Sequence, residues 1–247
     1  MNSVSIRSGE EMTRSEPDDG AQGNSDVWLV VPVFNETRVI RSVLATVLPT
    51  FPNIVCVDDG STDCSADQIR GTGARLVRHP INLGQGAAIQ TGVEYARKQR
   101  GARYFVTFDA DGQHQVDDVR RMVTRLRTDP LDIVIGTRFR GNADDVPLVK
   151  RLVLRTAVAL SPRIRRLGLT DSHNGLRAFN RTVADGMDIT SNGMGHSPEI
   201  VAMIDVNRWR VAEEPVSILY TDYSRAKGQS LLNGVNIVFD SAVRRRH

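Results

Sequence analysis

The sequence has little cysteine and no long apolar run. Its two cysteines, Cys56 and Cys64, are too few for a disulfide framework or a four-ligand zinc site, so we expect two reduced thiols. The longest uncharged apolar run extends from Val27 to Phe34, whereas a membrane-spanning helix needs about 20 residues. A G-x-x-x-x-G-K-[ST] loop is also missing. These absences argue against a disulfide scaffold, a membrane-spanning chain and a P-loop NTPase.

The sequence also has little net charge. Its 32 basic and 29 acidic residues leave a net charge of +3, which is too small to indicate a nucleic-acid partner, and we expect none. A hydrophobic content of 40% and a mean hydropathy of -0.27 are typical of a soluble globular protein. Residues 1–25 are polar and lack the apolar stretch of a signal peptide. We therefore predict a disordered tail followed by a single folded domain over residues 26–247.

Apolar runs and helical segments alternate along the chain. This alternation predicts an α/β fold with a Rossmann-like, mostly parallel central sheet flanked by helices, whose ligands bind beyond the carboxyl ends of the strands. The predicted strands are Val27–Phe34, Ile54–Val57, Arg75–Val77, Tyr104–Phe108, Ile133–Ile135, Leu176–Phe179 and Val211–Leu219. The predicted helices are Glu36–Leu48, Asp63–Arg70, Gly86–Gln99, Val116–Arg127, one or two within 147–167, Ser197–Val206 and Leu231–Val243.

Three of the predicted strands end in acidic or amide residues. In a parallel sheet such groups meet at one edge, and clustered carboxylates need a cation or hydrogen-bond donors to balance them. An alternative is that each acid caps the helix that follows it, as Asp63 could. The residues are Asn35, Glu36, Asp58, Asp59, Asp63, Asp109 and Asp111.

The segment DADGQH contains a D-x-D pair at the end of a predicted strand. Asp109, Asp111 and Gln113 offer hard oxygen ligands, which suit Mg²⁺ or Mn²⁺ shared with the phosphates of a nucleoside diphosphate. His114 is either a further ligand or a residue behind the ligands. The pattern therefore predicts a divalent cation site.

Two glycines lie where the helix of NLGQGAAIQTG begins. The backbone N–H groups near Gly84 and Gly86 could bind an anion, or the glycines could allow close packing of helix against strand. Ile89 occupies the position where the dinucleotide-binding fingerprint requires a third glycine. This difference argues against a nicotinamide or flavin site.

Basic residues are concentrated in the second half of the chain. From Arg138 to Arg166 there are eight basic residues and two acidic ones, interleaved with apolar residues. Such a basic amphipathic stretch indicates an anionic membrane surface, with nucleic acid as the competing partner and an ordinary solvated face as the simplest alternative. Three arginines after the predicted terminal helix repeat the pattern and favour the membrane.

Five motifs together resemble a known family. VVPVFNE, VDDGSTD, NLGQGAA, DADGQH and GTR, in this order, resemble the family-two glycosyltransferases, specifically the polyprenyl- and dolichyl-phosphate sugar synthases. The resemblance implies the glycosyltransferase A fold and inverting transfer of a sugar from a nucleotide sugar, UDP-linked rather than GDP-linked, to polyprenyl phosphate. The sequence also resembles the short polyprenyl-phospho-N-acetylgalactosaminyl synthases. By that resemblance, the protein would work at the cytoplasmic face of the membrane with a separately encoded small membrane protein.

The resemblance also implies roles for individual residues. The nucleotide-sugar-binding half is residues 26–137 and the acceptor-binding half is residues 138–247. Nucleoside contacts are implied for Pro32, Phe34, Glu36, Val57, Asp58 and Asp59, and metal and diphosphate contacts for Asp109, Asp111 and Gln113. Arg138 and Lys150 or Arg151 match positions that bind the lipid phosphate, and Arg225 and Lys227 could close over the phosphates. Asp171 and Arg177 lie in DSHNGLRAF, which matches the family's Asp-x-x-[Ser/Thr]-Gly-[Phe]-Arg stretch except at Asn174 and Leu176. The resemblance implies catalytic roles for Asp111, Arg138, Asp171 and Arg177.

The acceptor chemistry fits an arginine-rich site. A phosphate acceptor is already an anion, so the enzyme chiefly needs cations to bring two anions together. Asp171 would orient the acceptor or sugar, or act as a base if the acceptor is a hydroxyl. DVNRW at Asp205–Trp209 lacks the glutamine of processive synthases, which favours transfer of one sugar. The alternatives are a GDP-mannose donor, a saccharide or protein acceptor, and a nucleotide-sugar-binding scaffold subunit.

Overall fold

Seven strands form one sheet in the computed structural model, which describes residues 22–138, 162–171, 174–193 and 195–219. The strand order is β3-β2-β1-β4-β6-β5-β7, and only β6 runs antiparallel to its neighbours β4 and β5. The strands are β1 Val27–Val33, β2 Asn53–Asp58, β3 Arg75–Arg78, β4 Tyr104–Thr107, β5 Ile133–Thr137, β6 Arg177–Asn180 and β7 Val211–Pro215. The predicted α/β class and mostly parallel sheet are confirmed.

Helices cover both faces of this sheet. They are α1 Ile40–Val47, α2 Ser65–Arg70, α3 Gln85–Arg97, α4 Val116–Thr128, α5 Pro162–Arg166, α6 Arg181–Gly186 and α7 His196–Asn207. Residues of α1, α2 and α4 pack in one apolar layer, and residues of α3, α6 and α7 pack in the other. Because side chains alternate along a strand, Leu29 and Val31 of β1 face the first layer while Trp28 and Val30 face the second.

Helix α4 shows how the sequence specifies one of these elements. Its buried residues Val119, Met122, Val123 and Leu126 are three and four positions apart, so they form one apolar face. Acidic residues occupy its first turn and basic residues occupy its last turn, and these charges stabilise the helix because they interact favourably with its dipole. Pattern and charge thus agree on the same helix, which was predicted within one residue.

Some element boundaries differ from the predictions. Helix α1 begins at Ile40 because the chain first turns at Glu36, whose carbonyl accepts hydrogen bonds from the N–H groups of Val39 and Ile40. Strand β7 ends at Pro215. Helix α6 was not predicted; its Asn180 cap accepts a hydrogen bond from the Val183 N–H. Residues 1–21 of the predicted tail, residues 147–161 and the predicted terminal helix lie outside the described residues.

Candidate active site

Short polar contacts join the chain segments that follow β1 and β2. The Asn35 N–H donates to Ser61 Oγ over 3.0 Å, and Asn35 Oδ1 accepts a hydrogen bond from the Thr62 N–H over 2.9 Å. The Glu36 N–H donates to Ser65 Oγ over 2.8 Å. Asn35 has a φ of 55°, a left-handed conformation that asparagine adopts more readily than most residues. The predicted meeting of these two strand ends is therefore observed.

Asp59 is bonded within the protein on both carboxylate oxygens. Oδ1 lies 2.7 Å from His79 Nδ1 and accepts a hydrogen bond from the Leu83 N–H over 2.9 Å. Oδ2 accepts one from the Gly84 N–H over 2.7 Å. His79 Nε2 in turn lies 2.9 Å from Thr91 Oγ1. Asp59 therefore fixes the loop between β3 and α3, on the side where the sequence predicts the nucleoside.

Asp58 is also engaged by the chain. Its Oδ1 accepts a hydrogen bond from the Ser61 N–H over 3.0 Å, and its Oδ2 accepts one from Arg78 Nε over 2.8 Å. The carboxylate is fully buried, so these donors compensate for the loss of water. Asp58 and Asp59 of the VDDGSTD motif thus both stabilise the loops at this edge of the sheet.

Replacing Asp59 by alanine is expected to destabilise the fold by about 3 kcal/mol, because one buried and two partly buried donors lose their acceptor. Urea unfolding measures the change. Asp67→Ala is the matched control: Asp67 pairs with Arg70 at the surface, and its loss should cost about 0.5 kcal/mol. Equal losses in the two variants would contradict a structural role for the Asp59 contacts.

Gly84 and Gly86 pack against the loop before α7. The Gly84 N–H is bonded to Asp59, and the Gly86 N–H donates to the Asn192 carbonyl over 2.7 Å. A Cβ atom at Gly86 would lie 1.9 Å from the Ser191 carbonyl oxygen, and one at Gly84 would lie 2.3 Å from that of Asn192. Both N–H groups already have partners, which favours close packing over anion binding at these two glycines.

Asp109 follows β4 and is held by two polar side chains. Its Oδ2 lies 2.9 Å from His114 Nε2, and its Oδ1 accepts a hydrogen bond from Gln85 Nε2 over 3.2 Å. Burial opposes ionisation of Asp109, but the hydrogen bond and charge of His114 and the charge of Arg177 hold its pKa below the ordinary value. His114 therefore contacts Asp109 Oδ2 and orients the carboxylate.

Asp111 has a different electrostatic environment from Asp109. Burial and the neighbouring Asp109 charge raise the pKa of Asp111 to about 6, and Glu36 adds to this, against the opposing effects of the Gln113 N–H and His114. Like-charged carboxylates this close are balanced by a bound cation or by a proton. The two carboxylates of the D-x-D pair thus form an anionic centre at the end of β4.

Gly175 packs directly against the Asp109 carboxylate, where a larger residue would clash with it. A Cβ atom at position 175 would lie 2.2 Å from Asp109 Oδ2, which is far inside contact distance. The glycine belongs to the DSHNGLRAF segment, but sequence reasoning did not assign it a role. The close approach links the segment before β6 to the end of β4.

Replacing Gly175 by alanine is expected to displace the Asp109 carboxylate and lower catalytic activity by about 100-fold, because misplacement by about 1 Å has effects of this size. Steady-state kinetics on the folded variant measures the loss. Gly193→Ala is the control, since a Cβ there meets nothing within 4 Å. Wild-type activity in Gly175→Ala would show that the Asp109 position is not critical.

Arg177 is a fully buried cation between two acids. Burial lowers its pKa to about 10, opposed by the carboxylates of Asp109 and Asp171, so the guanidinium stays charged at neutral pH. Its Nη2 donates to Ser197 Oγ over 2.9 Å. Burial and the Arg177 charge lower the pKa of His196 to about 4, which leaves that imidazole neutral. Arg177 therefore couples the Asp109 and Asp171 sides of the site.

Arg138 and Asp171 form a bidentate ion pair. Arg138 Nε lies 2.6 Å from Asp171 Oδ2 and Nη2 lies 2.7 Å from Oδ1, while the Arg138 N–H donates to Oδ2 over 3.2 Å. The Asp171 side chain is fully buried and that of Arg138 is 14% exposed. The structure thus brings together two residues that the sequence placed separately on the acceptor side.

The remaining predicted site residues lie in different parts of the chain. Phe34 is 43% exposed beyond β1, and Pro32 is partly buried within it. Val57 is a fully buried core residue of β2 that packs near α3, and its nucleoside contact stays a prediction. The Gln113 N–H donates to Asp111 Oδ1 over 3.1 Å. Outside the described residues lie Lys150, Arg151, Arg225 and Lys227.

Part of the basic surface is neutralised by one acid. Arg163 and Arg166 of α5 both pair with Asp205 of α7, at 3.1 Å and 2.6 Å. The predicted basic amphipathic stretch lies mostly in residues 139–161, which the structure does not describe. Within the described ranges, no helix is both long and apolar enough to cross a bilayer.

Sequence reasoning missed Glu213, which lies buried in β7 behind the ion pair. It bonds the segment that carries Asp171. The available signal was the strand period, which places Glu213 on the same face as Val211. A charged residue at such a position needs partners that only the folded chain reveals.

Comparisons with known proteins agree with this geometry. Residues 28–187 match the family model described as glycosyl transferase family 2. The chain is 32% identical over 219 residues to an uncharacterised protein of Methanocaldococcus jannaschii, covering 87% of this chain and 90% of that protein. It is 26% identical over 235 residues to the UDP-N-acetylglucosamine–dolichyl-phosphate N-acetylglucosaminyltransferase of Methanococcus voltae, covering 86% and 93%.

A solved structure confirms the fold. Glucosyl-3-phosphoglycerate synthase from Mycobacterium tuberculosis, in complex with Mg²⁺ and uridine diphosphate, superposes with a TM-score of 0.65 at 19% identity. The match covers 89% of this chain and 79% of that chain. At this identity the likeness concerns the fold, and it agrees with the glycosyltransferase A architecture predicted from the sequence.

Proposed function

Because the chain belongs to glycosyl transferase family 2, we propose that it transfers one sugar, with inversion, from a UDP-linked hexose or N-acetylhexosamine to polyprenyl phosphate. The chain is a glycosyltransferase, and its relatives include polyprenyl- and dolichyl-phosphate sugar transferases. The observation that carries the proposal is the burial of Arg177, whose pKa the carboxylates of Asp109 and Asp171 both raise against the effect of burial. On this proposal, the diphosphate side and the acceptor side share one buried cation.

The donor side fits a divalent cation. Asp109 and Asp111 supply hard oxygen atoms, and burial together with the Asp109 charge raises the pKa of Asp111 to about 6, so a cation beside it would favour its ionised form. Among the described residues, no three His, Cys, Asp or Glu side chains converge in a metal-binding arrangement, so diphosphate and water oxygens would complete the ligand set. Bound Mg²⁺ or Mn²⁺ would neutralise charge on the departing nucleoside diphosphate.

The acceptor side is built for an anion that needs no base. Polyprenyl phosphate is already negative at pH 7, so the task of Arg138 is to hold and orient it against the sugar, while the buried Arg177 adds positive charge behind it. Asp171 has both oxygens on Arg138, which suits it to fix the guanidinium. We further propose that the enzyme works peripherally at the cytoplasmic face, with a small membrane protein as partner.

Transfer to undecaprenyl phosphate in detergent micelles tests the proposal. The purified protein is supplied with Mn²⁺ or Mg²⁺ and, in turn, UDP-glucose, UDP-N-acetylglucosamine, UDP-N-acetylgalactosamine and GDP-mannose. One UDP-sugar should give an organic-soluble labelled lipid, with one UDP released per sugar transferred. Product from GDP-mannose alone would change the donor but keep the reaction. Transfer only to soluble saccharides, or no lipid product even with membranes of the source cell, would refute it.

A further inference from the structure

Glu213 holds two consecutive residues of the segment before β6. Its Oε1 accepts hydrogen bonds from the Thr170 N–H over 2.5 Å and from the Asp171 N–H over 2.9 Å. Its Oε2 accepts one from Thr170 Oγ1 over 2.8 Å, and Thr170 Oγ1 lies 3.0 Å from Thr137 Oγ1. One buried carboxylate therefore fixes both the backbone and a side chain of this segment.

Asp171 connects Glu213 to Arg138, the arginine that we propose binds the acceptor phosphate. Asp171, whose N–H is held by Glu213, binds the Arg138 guanidinium through both oxygens. Arg138 itself directly follows β5, which pairs in parallel with β7 and sets Ile135 opposite Glu213. We propose that Glu213 is a positioning residue that sets Arg138 for the acceptor phosphate, an inference that rests on the proposed function.

The chemistry of the contact explains how Glu213 holds this segment. A buried carboxylate loses its hydration and needs several donors in return, and here it receives two backbone N–H groups and one hydroxyl. Because one side-chain oxygen accepts hydrogen bonds from two consecutive N–H groups, it fixes the peptide planes on either side of Thr170. A displacement of about 1 Å in the arginine it controls is enough to change phosphate binding strongly.

Glu213→Ala is expected to raise the KM for polyprenyl phosphate about 10-fold or more while the donor KM changes less than about twofold. Glu213→Gln should recover most of the loss, because its amide oxygen can still accept both N–H groups and its NH₂ can donate to Thr170 Oγ1. Glu214→Ala is the matched control: this neighbour bonds Arg121 and Arg125 on α4, and its loss should leave the acceptor KM unchanged. If Glu213 had only a structural role, its loss would lower the free energy of unfolding and the fraction of active enzyme. It would not raise the KM for polyprenyl phosphate more than the donor KM.

Glu213→Asp serves if the alanine variant does not fold. It keeps the charge but withdraws the carboxylate by one methylene, so the acceptor KM should rise in the same direction. An unchanged acceptor KM in a folded Glu213→Ala or Glu213→Asp variant overturns the inference. Equal changes of donor and acceptor KM overturn it as well.

A chemical probe separates this inference from the proposed function. Phenylglyoxal modification, located by peptide mass spectrometry, should be slow at Arg138 in the wild type and several-fold faster in Glu213→Ala, with Arg163 as the internal reference. If the wild type makes no lipid-linked product, the proposed function fails, yet the Arg138 rate still reports its positioning. An Arg138 rate unaffected by Glu213→Ala refutes the positioning.

Discussion

Replacing Asp111 by asparagine is expected to lower sugar transfer by about 100- to 1,000-fold, because it removes a charge from the anionic centre while keeping the side-chain shape. Burial raises the pKa of Asp111, and the neighbouring charges of Asp109 and Glu36 raise it further. On the proposed function, a divalent cation and the diphosphate supply the balance. Steady-state transfer with saturating Mn²⁺ measures the loss, and calorimetric titration of UDP with Mn²⁺ should show weaker binding.

The control for Asp111→Asn lies in the next helix. Asp117 is 74% exposed and pairs with Arg120 in the first turn of α4, so Asp117→Asn should leave transfer unchanged. Urea unfolding of both variants checks that the fold is intact. Turnover of Asp111→Asn within threefold of the wild type would refute a cation at this site.

The strands and their polar ends could be predicted because they depend on neighbours in the sequence. The apolar residues of β1 and the acids after β2 and β4 appear as local patterns, and the parallel arrangement brings those acids to one edge. The helical period likewise gave α4 nearly to its ends. Short-range rules therefore account for the architecture and for the location of the site.

The partners of each site residue could not be predicted in this way. Asp59, predicted to contact the nucleoside, is bonded to His79, 20 residues later, and to the loop that follows. Asp171, predicted to orient the acceptor or sugar or to act as a base, binds Arg138, 33 residues earlier. The two roles stay predictions, whereas these partners were not predicted at all. The loops between the helices and strands decide which charged groups come into contact. Local sequence patterns do not show how these loops place the groups in space.

The ion pairs also show why the local charge excess was an incomplete guide. Arg138 opens the basic stretch, yet it pairs with Asp171, and Arg163 and Arg166 share one acid, Asp205. Arg163 and Arg166 stay 44% and 63% exposed, so their pairing lowers the net charge of this surface without burying it. A count of basic residues therefore overstates the net positive charge of the described part of the stretch.

Replacing Arg138 by alanine is expected to lower kcat/KM for polyprenyl phosphate by about 100-fold, since it removes a guanidinium from the acceptor side and leaves the Asp171 carboxylate buried without it. Arg138→Lys should recover little, because lysine cannot form the bidentate contact with both Asp171 oxygens. The donor KM should stay within about twofold of the wild type. Arg163→Ala, which breaks a surface pair, is the control and should transfer normally.

The coupling of Arg138 to Asp171 gives this prediction a second test. If Asp171 acts by fixing Arg138, then Asp171→Asn in the Arg138→Ala background should cost less than about threefold, although it costs about 10-fold or more in the wild type. Additive losses would instead assign Asp171 a direct role on the sugar or acceptor. A wild-type acceptor KM in Arg138→Ala, together with transfer to a soluble acceptor, would move the function to a saccharide or protein glycosyltransferase.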